Sequence, residues 1–143
     1  MVHALERARK YLVPGGALVC VQPRRIKRPL IAVTAPRQRW PVASLINPVF
    51  EPLIWAAEAA IETVVTERLF VLIGRKNHQF RVRLANPNQL DRYLHLGQRP
   101  PRFPGGGRSR LRALWKSRRP GTQIEVTEFM ATIVLRAVDK ARG

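Results

Sequence analysis

The first twenty residues combine a helical pattern of apolar side chains with an uninterrupted apolar run. Leu5, Ala8 and Leu12 recur at helical spacing, which predicts an amphipathic helix near the N-terminus. Pro14 ends this helix, because proline disfavours helical backbone in the residue before it. The apolar run over residues 17–21 predicts a strand covered on both faces. We expect this strand to pair with the C-terminal strand of the chain.

The middle of the chain carries the clearest helical pattern. Over residues 53–72 the apolar side chains trace one face, and Glu58 and Glu62 share the opposite face. Gly74 is the expected end of this helix. Residues 79–84 then alternate apolar and polar positions, which predicts a strand with one face in solvent.

Two shorter helices follow in the sequence pattern. Asn86 followed by Pro87 is typical of an N-cap with proline at the first helical position. Further along, Ser109 is the expected cap of a short basic helix that contains Trp115. Both helices therefore begin at residues whose side chains suit a helix start.

The last apolar pattern, over residues 122–136, predicts a long final strand. Glu125 and Glu128 lie within it and are the two carboxylates that depart from the solvent-facing pattern of the others. We interpret them as charges of an edge strand, where a charged side chain discourages pairing with another chain.

Two segments have the composition of loops. Residues 24–52 are rich in proline and arginine, which predicts a connector rather than one regular element. Residues 98–107 are rich in proline and glycine, which predicts a flexible loop. With 143 residues the chain is long enough for one domain, so we expect residues 1–143 to form a single domain.

The charge of the chain narrows the classes of partner. Its formal net charge is +17 and its isoelectric point is near 11.8, which favours nucleic acid or another polyanion as partner. A coding sequence rich in arginine, alanine, proline and valine would give the same composition without a polyanionic partner. Both explanations stay open from composition alone.

The basic residues are concentrated between residues 75 and 119, where Asp91 is the only acidic residue. Aromatic residues are interleaved, which is the composition of proteins that bind single strands through phosphate pairing and base stacking. The periodicity places Phe80 and Tyr93 in the core, however. A small basic nucleic-acid-binding module is therefore the alternative function. The basic residues are Arg75, Lys76, Arg81, Arg83, Arg92, Arg99, Arg102, Arg108, Arg110, Arg112, Lys116, Arg118 and Arg119.

Candidate chemistry is sparse. Cys20 is the only cysteine, which fits a reducing compartment such as the cytoplasm, and its place in an apolar strand predicts a buried, unreactive thiol. His3, His78 and His95 are scattered without acidic or cysteine residues at ligand spacing, so no metal site is expected. No run of 18 uncharged apolar residues occurs, so no membrane span is expected.

The helix, the Pro14-Gly15-Gly16 turn and the following strand resemble the segment after the cofactor half of class I S-adenosylmethionine-dependent methyltransferases. Residues 131–136 also resemble the closing strand of that family. The resemblance implies an α/β fold: a partial Rossmann-like methyltransferase sheet, namely the C-terminal half, in which the sheet is mixed and the last strand is antiparallel to its neighbours. It implies a methyltransferase-like protein that supplies the substrate side.

The same resemblance implies S-adenosylmethionine as cofactor, yet the family's G-x-G-x-G turn and the acidic residue that binds the ribose do not occur here. We therefore expect no cofactor binding by this chain alone, no activity alone, and no catalytic or cofactor-binding residue. A missing N-terminal half or a homo-oligomer is the implied partner. The start at Met1 close to the helix fits a truncated frame, a split gene or an internal start. The resemblance places substrate contacts after the first strand, at Gln22, Arg24 and Arg25.

Overall fold

The computed structural model describes residues 1–97 and 99–138, and these contain four helices and five strands. The predicted α/β class is confirmed, but the five-stranded sheet is antiparallel and not mixed as the resemblance implied. Within the described residues no helix is long and apolar enough to cross a membrane. In chain order the elements are α1 (Val2–Tyr11), β1 (Ala17–Pro23), β2 (Leu30–Ala35), β3 (Gln38–Ser44), α2 (Glu51–Thr66), β4 (Phe70–Leu84), α3 (Pro87–Leu94), α4 (Gly107–Lys116) and β5 (Gln123–Ala137).

The five strands are hydrogen-bonded around β5. Strand β1 pairs antiparallel with the second part of β5, with Val19 opposite Val134. Strand β2 pairs antiparallel with the first part of β5, and β3 pairs antiparallel with β2. Strand β4 also pairs with β5. The predicted pairing of the first and last strands is therefore confirmed.

The chain divides into two compact units, which the prediction of one domain over residues 1–143 did not anticipate. Unit 1 contains Met1–Arg25, Glu51–His78 and residues 130–138. Unit 2 contains Ile26–Phe50 and Gln79–Phe129. Strands β4 and β5 each begin in one unit and end in the other, so the division falls within strands.

The core of unit 1 is formed by α2 and by parts of β4 and β5, with α1 and β1 packed against it. Leu18 and Cys20 of β1 face this core, whereas Val19 and Val21 are 57% and 61% exposed. The prediction that this strand is covered on both faces is wrong for these residues. The buried members of the core are Ile61, Val64, Phe70, Ile133, Leu135 and Ala137.

The helix predicted over residues 53–72 ends earlier, at Thr66. Arg68 adopts a left-handed backbone with φ of 56°, and the amides of Arg68 and Leu69 donate to the carbonyl oxygens of Val65 and Val64 at 3.1 and 3.0 Å. These two bonds are those of a Schellman motif, which ends a helix. The apolar residues that follow belong to β4, which runs straight through the glycine expected as the helix end.

The core of unit 2 joins the β2–β3 hairpin, α3, α4 and the first part of β5. Residues 24–52, predicted as a connector, thus contain two strands. The prolines do not prevent this, because Pro36 lies in the turn and Pro41 lies in β3, which among the described strands has a neighbour on one side only. Arg37 completes the turn with φ of 64°. The buried members of this core are Ile31, Val33, Val42, Leu45, Leu90, Leu94, Leu111, Ile124 and Val126.

The two short helices begin in different ways. The side chain of Asn86 accepts a hydrogen bond from the amide of Gln89 at 2.9 Å, which confirms the predicted cap of α3. Helix α4 begins at Gly107 with Gly106 as its N-cap, so the predicted cap at Ser109 is wrong. Glycine is favoured at the N-cap because Gly106 has φ of 77°, a left-handed backbone conformation that glycine adopts without steric cost.

The segment 98–107, predicted as a flexible loop, is described except for residue 98, which lies outside the described residues. Within it Arg102 forms an isolated antiparallel bridge with Ile46. Gly107 already belongs to α4. This part of the chain is therefore tied to the residues that follow β3.

Candidate functional site

The three predicted substrate-side residues lie at the end of β1 and just after it. Gln22 is near the last position of the strand, and Arg24 and Arg25 follow Pro23. Gln22 and Arg25 both contact side chains of α2 in unit 1, and Arg24 is half-buried beside them in sequence. We call the group formed by Gln22, Arg25, Trp55, Glu58 and Arg75 the Glu58 cluster.

Glu58 is the centre of this cluster and is only 4% exposed. Its Oε1 accepts a hydrogen bond from Nε2 of Gln22 at 2.8 Å, and its Oε2 accepts one from Nη1 of Arg75 at 2.8 Å. Nη2 of Arg75 also donates to Oε1. The hydrogen bonds from Arg75 lower the pKa of Glu58, although burial acts in the opposite direction. Glu58 is thus an ionised carboxylate whose two oxygens are occupied.

The sequence pattern placed Glu58 on the exposed face of α2, and this is wrong. Glu58 lies one turn before Ile61 and so shares its buried face. The carboxylate of Glu58 can be buried on this face because Arg75 of β4 supplies an opposite charge. The signal in the sequence was the spacing between Glu58 and the apolar stripe, but the partner lies 17 residues away and could not be identified from it.

Trp55 extends the cluster towards solvent. The guanidinium carbon of Arg25 lies 4.0 Å from the centre of the Trp55 ring, which is a cation–π distance. Trp55 is 50% exposed, so half of this large aromatic surface remains open. Around one carboxylate the cluster holds the guanidinium groups of Arg25 and Arg75. The arrangement therefore suits a ligand that carries an anionic group beside an apolar or aromatic one.

The two carboxylates singled out in the last strand lie in unit 2. Glu125 is 3% exposed, and its Oε1 lies 3.1 Å from Nε of Arg39 and 3.9 Å from Nε of Arg81. Glu128 accepts a hydrogen bond from the hydroxyl of Tyr93 at 3.0 Å. Burial raises the pKa of the Glu128 carboxyl and that of the Tyr93 hydroxyl. Because β5 pairs with β1, β2 and β4, the interpretation of these residues as edge-strand charges is wrong.

The aromatic residues of the basic segment differ in burial. Phe80, predicted to be in the core, is 46% exposed on β4. Tyr93, Phe103 and Trp115 are partly buried against the core of unit 2. Phe80 is therefore the member of this group whose ring is most open to a stacking partner.

Other reactive groups offer little chemistry. Burial raises the pKa of the Cys20 thiol, which disfavours the reactive thiolate, although the side chain is half-buried rather than fully buried. Among the residues that the structure describes, no group of three histidine, cysteine, aspartate or glutamate side chains could hold a metal ion.

The described part of the chain does not fit S-adenosylmethionine. A cradle for this cofactor needs a glycine turn after a strand and before a helix. The two strand-to-helix connections described here are residues 45–50 before α2 and residues 85–86 before α3, and neither contains glycine. Gly105 and Gly106 precede α4, and Gly107 begins it, but these glycines follow a loop rather than a strand.

No protein-family model, curated protein or solved structure matches the chain.

Proposed function

We propose that the chain is a methyltransferase-like protein that supplies the substrate-side half of a class I S-adenosylmethionine-dependent enzyme and is inactive alone. The observation that carries this proposal is the position of the last strand. Strand β5 pairs antiparallel with β1 and also pairs with β4. A last strand inserted beside two earlier strands is what the resemblance implies for the C-terminal half of the family's sheet.

The connectivity of unit 1 supports the same proposal. Its elements follow the order α1, β1, α2, β4 and β5, which is a helix, a strand, a helix, a strand and the closing strand. The elements of unit 2 enter the chain at two places, between β1 and α2 and between the ends of β4 and β5. Unit 2 is thus an addition to an α/β framework.

The Glu58 cluster is the proposed substrate contact. It lies at the carboxyl end of β1, where the resemblance places the substrate contacts. In this proposal Glu58 holds the Arg75 guanidinium in one orientation through two hydrogen bonds. Arg25 and Trp55 then face the ligand, with Arg25 binding an anionic group and Trp55 packing on a flat or apolar one.

In this proposal the cofactor-binding part lies outside residues 1–143, because the strand-to-helix connections of the described residues lack the glycine turn. A second copy of residues 1–143 would lack the same turn, so we propose that an N-terminal methyltransferase half, rather than a homo-oligomer, supplies the cofactor site. Translation of the DNA upstream of the Met1 codon tests this. A strand followed by G-x-G-x-G, in the same frame or in a separate one, is expected. Finding neither that motif nor any methyltransferase-like half nearby would argue against the proposal.

A small basic nucleic-acid-binding module is the second candidate function, and the exposed ring of Phe80 favours it. Arg81, the next residue of β4, has a side chain that is 53% exposed but points to the opposite face of the strand, so the exposed ring alone supports this function. Base stacking on an aromatic residue contributes about 1–3 kcal/mol per base.

Fluorescence anisotropy with a single-stranded oligonucleotide at several salt concentrations tests this second function. We expect affinity to fall as salt rises and Phe80→Ala to weaken binding at least fivefold at fixed salt. Val71→Ala, which shortens another exposed apolar residue of β4, is the control and should leave the affinity unchanged. Equal affinities of the wild type, Phe80→Ala and Val71→Ala would show that charge alone accounts for the binding and that no base stacks on Phe80.

A further inference from the structure

Unit 2 contains a pocket of about 580 Å³ that neither proposal above uses. It lies where residues 99–104 run beside residues 47–49, at the start of α4. Its basic lining consists of His95, Arg99, Arg102 and Arg108, and none of the described residues of its wall is acidic.

The wall of the pocket is fixed by hydrogen bonds. Ile46 and Arg102 exchange two backbone hydrogen bonds, at 2.9 and 2.6 Å. The side-chain amide of Asn47 donates to the carbonyl oxygen of Arg99 at 2.9 Å. The backbone amide of Gly107 donates to the carbonyl oxygen of Pro104 at 3.0 Å. Four prolines in the lining restrict the backbone further. A ligand would therefore meet a site whose shape already exists, which reduces the entropy lost on binding.

The guanidinium groups at this wall are not equally occupied. Nη1 of Arg108 lies 3.0 Å from the carboxylate of Asp91, and both side chains are about half exposed. Within the described part of the chain, Arg99 and Arg102 have no carboxylate within ion-pair distance. Guanidinium groups match the oxygen atoms of phosphate through paired hydrogen bonds, so these two arginines are suited to an incoming phosphate.

The remaining lining has a different character. Leu94, Val49, Phe103 and the prolines give an apolar surface next to the arginines. A volume of about 580 Å³ exceeds the space that a phosphate ion needs and is within the range of about 300–1,000 Å³ typical of small-molecule sites. The pocket is thus suited to a phosphate group that is attached to an organic body.

We propose that this pocket binds the phosphate monoester of a nucleotide, with Arg99 and Arg102 on the phosphate and the apolar wall against the nucleoside. The same chemistry is present in a free nucleotide and in the phosphorylated 5′ end of a strand. This inference concerns unit 2 alone and does not depend on the methyltransferase proposal.

Calorimetric titration at fixed salt near 0.15 M tests the proposal with AMP, adenosine, and a tetranucleotide with and without a 5′ phosphate. The test variant is the double substitution Arg99→Gln with Arg102→Gln. The control is Arg92→Gln with Arg112→Gln, which removes the same charge from exposed residues outside the pocket. Thermal denaturation of each variant verifies that it is folded.

We expect AMP to bind and adenosine not to bind. The pocket variant should lower the affinity for AMP at least tenfold, which corresponds to about 1.4 kcal/mol, and the control should change it less than twofold. Tighter binding of the phosphorylated tetranucleotide than of AMP would identify a strand end as the source, and the reverse order would identify a free nucleotide. The proposal is overturned if AMP does not bind at millimolar concentration. Equal weakening by the two double variants, or binding of the tetranucleotide regardless of its 5′ phosphate, would also overturn it.

Discussion

Replacing Arg75 with methionine would leave the buried carboxylate of Glu58 without its main partner. Methionine keeps the unbranched apolar stem but removes the guanidinium group, so the packing of the stem is largely preserved. Of the three hydrogen bonds that Glu58 accepts, Arg75 donates two and Gln22 donates one. The variant therefore isolates the effect of the charge and its hydrogen bonds.

The size of the effect follows from the number of bonds and from exposure. Hydrogen bonds to charged groups contribute about 1.5–3 kcal/mol each, so two bonds set an upper limit of about 3–6 kcal/mol. The Arg75 side chain is 40% exposed, so water can reach part of the space that it leaves. Because solvent weakens such interactions, we expect a loss of about 2–3 kcal/mol in the free energy of unfolding at pH 7.

The effect should depend on pH in a defined direction. A lowered pKa in the folded protein contributes stability that is present above the unfolded pKa and is lost as pH falls through the folded pKa. In Arg75→Met the burial of Glu58 remains while the hydrogen bonds from Arg75 are gone, so protonation of Glu58 would relieve the variant. The difference between the two proteins should therefore shrink as pH falls from 7 towards about 4.

Urea denaturation followed by circular dichroism at several pH values measures this difference. Lys76→Met is the matched control, since Lys76 is the next residue of β4 and is exposed. An exposed substitution of this kind should change stability by less than about 0.5 kcal/mol. A loss below about 0.5 kcal/mol for Arg75→Met, or an equal loss for the control, would refute the assigned role of Arg75.

Three further substitutions test local features, each by thermal or urea denaturation. Gly107→Ala should destabilise the protein by about 1–3 kcal/mol, because the added Cβ would lie 3.0 Å from the Phe103 side chain and 3.1 Å from the Cβ of Ala43. Gly105→Ala is the control: its Cβ meets no atom within 4 Å, so stability should be nearly unchanged. Trp115→Ala should cost about 2–3 kcal/mol, below the full value for a buried tryptophan because the ring is only partly buried; unchanged stability would remove it from the core of unit 2. Arg68→Gly should stabilise the protein by about 0.5–1 kcal/mol by relieving the left-handed backbone, and a loss would contradict the Schellman assignment.

The features that the sequence predicted well depend on neighbouring residues. The helix, glycine turn and strand at the start of the chain are all specified within about twenty positions. The cap at Asn86 is similarly local, since its partner is three residues away. The pairing of β1 with β5 was predictable because both strands are long and apolar and the family resemblance supplied their order.

The features that the sequence did not predict depend on exceptions or on distant partners. Arg68 occupies a backbone conformation that usually takes glycine, so the end of α2 carried no visible signal. The β2–β3 hairpin was hidden by prolines that are harmless in a turn and at an edge. The burial of Glu58 required Gln22 and Arg75, which are far from it in the chain. The division into two units likewise reflects long-range packing.

Calorimetric titration with S-adenosylmethionine tests the central claim most directly. The chain is titrated alone and together with the polypeptide encoded upstream of its Met1 codon. We predict no measurable binding by the chain alone, because the glycine turn and the ribose-binding carboxylate together supply several kcal/mol of recognition. We predict micromolar binding when both polypeptides are present. Micromolar binding by the chain alone, or no binding by the two together, would contradict the proposal that this chain is the substrate-side half of a methyltransferase.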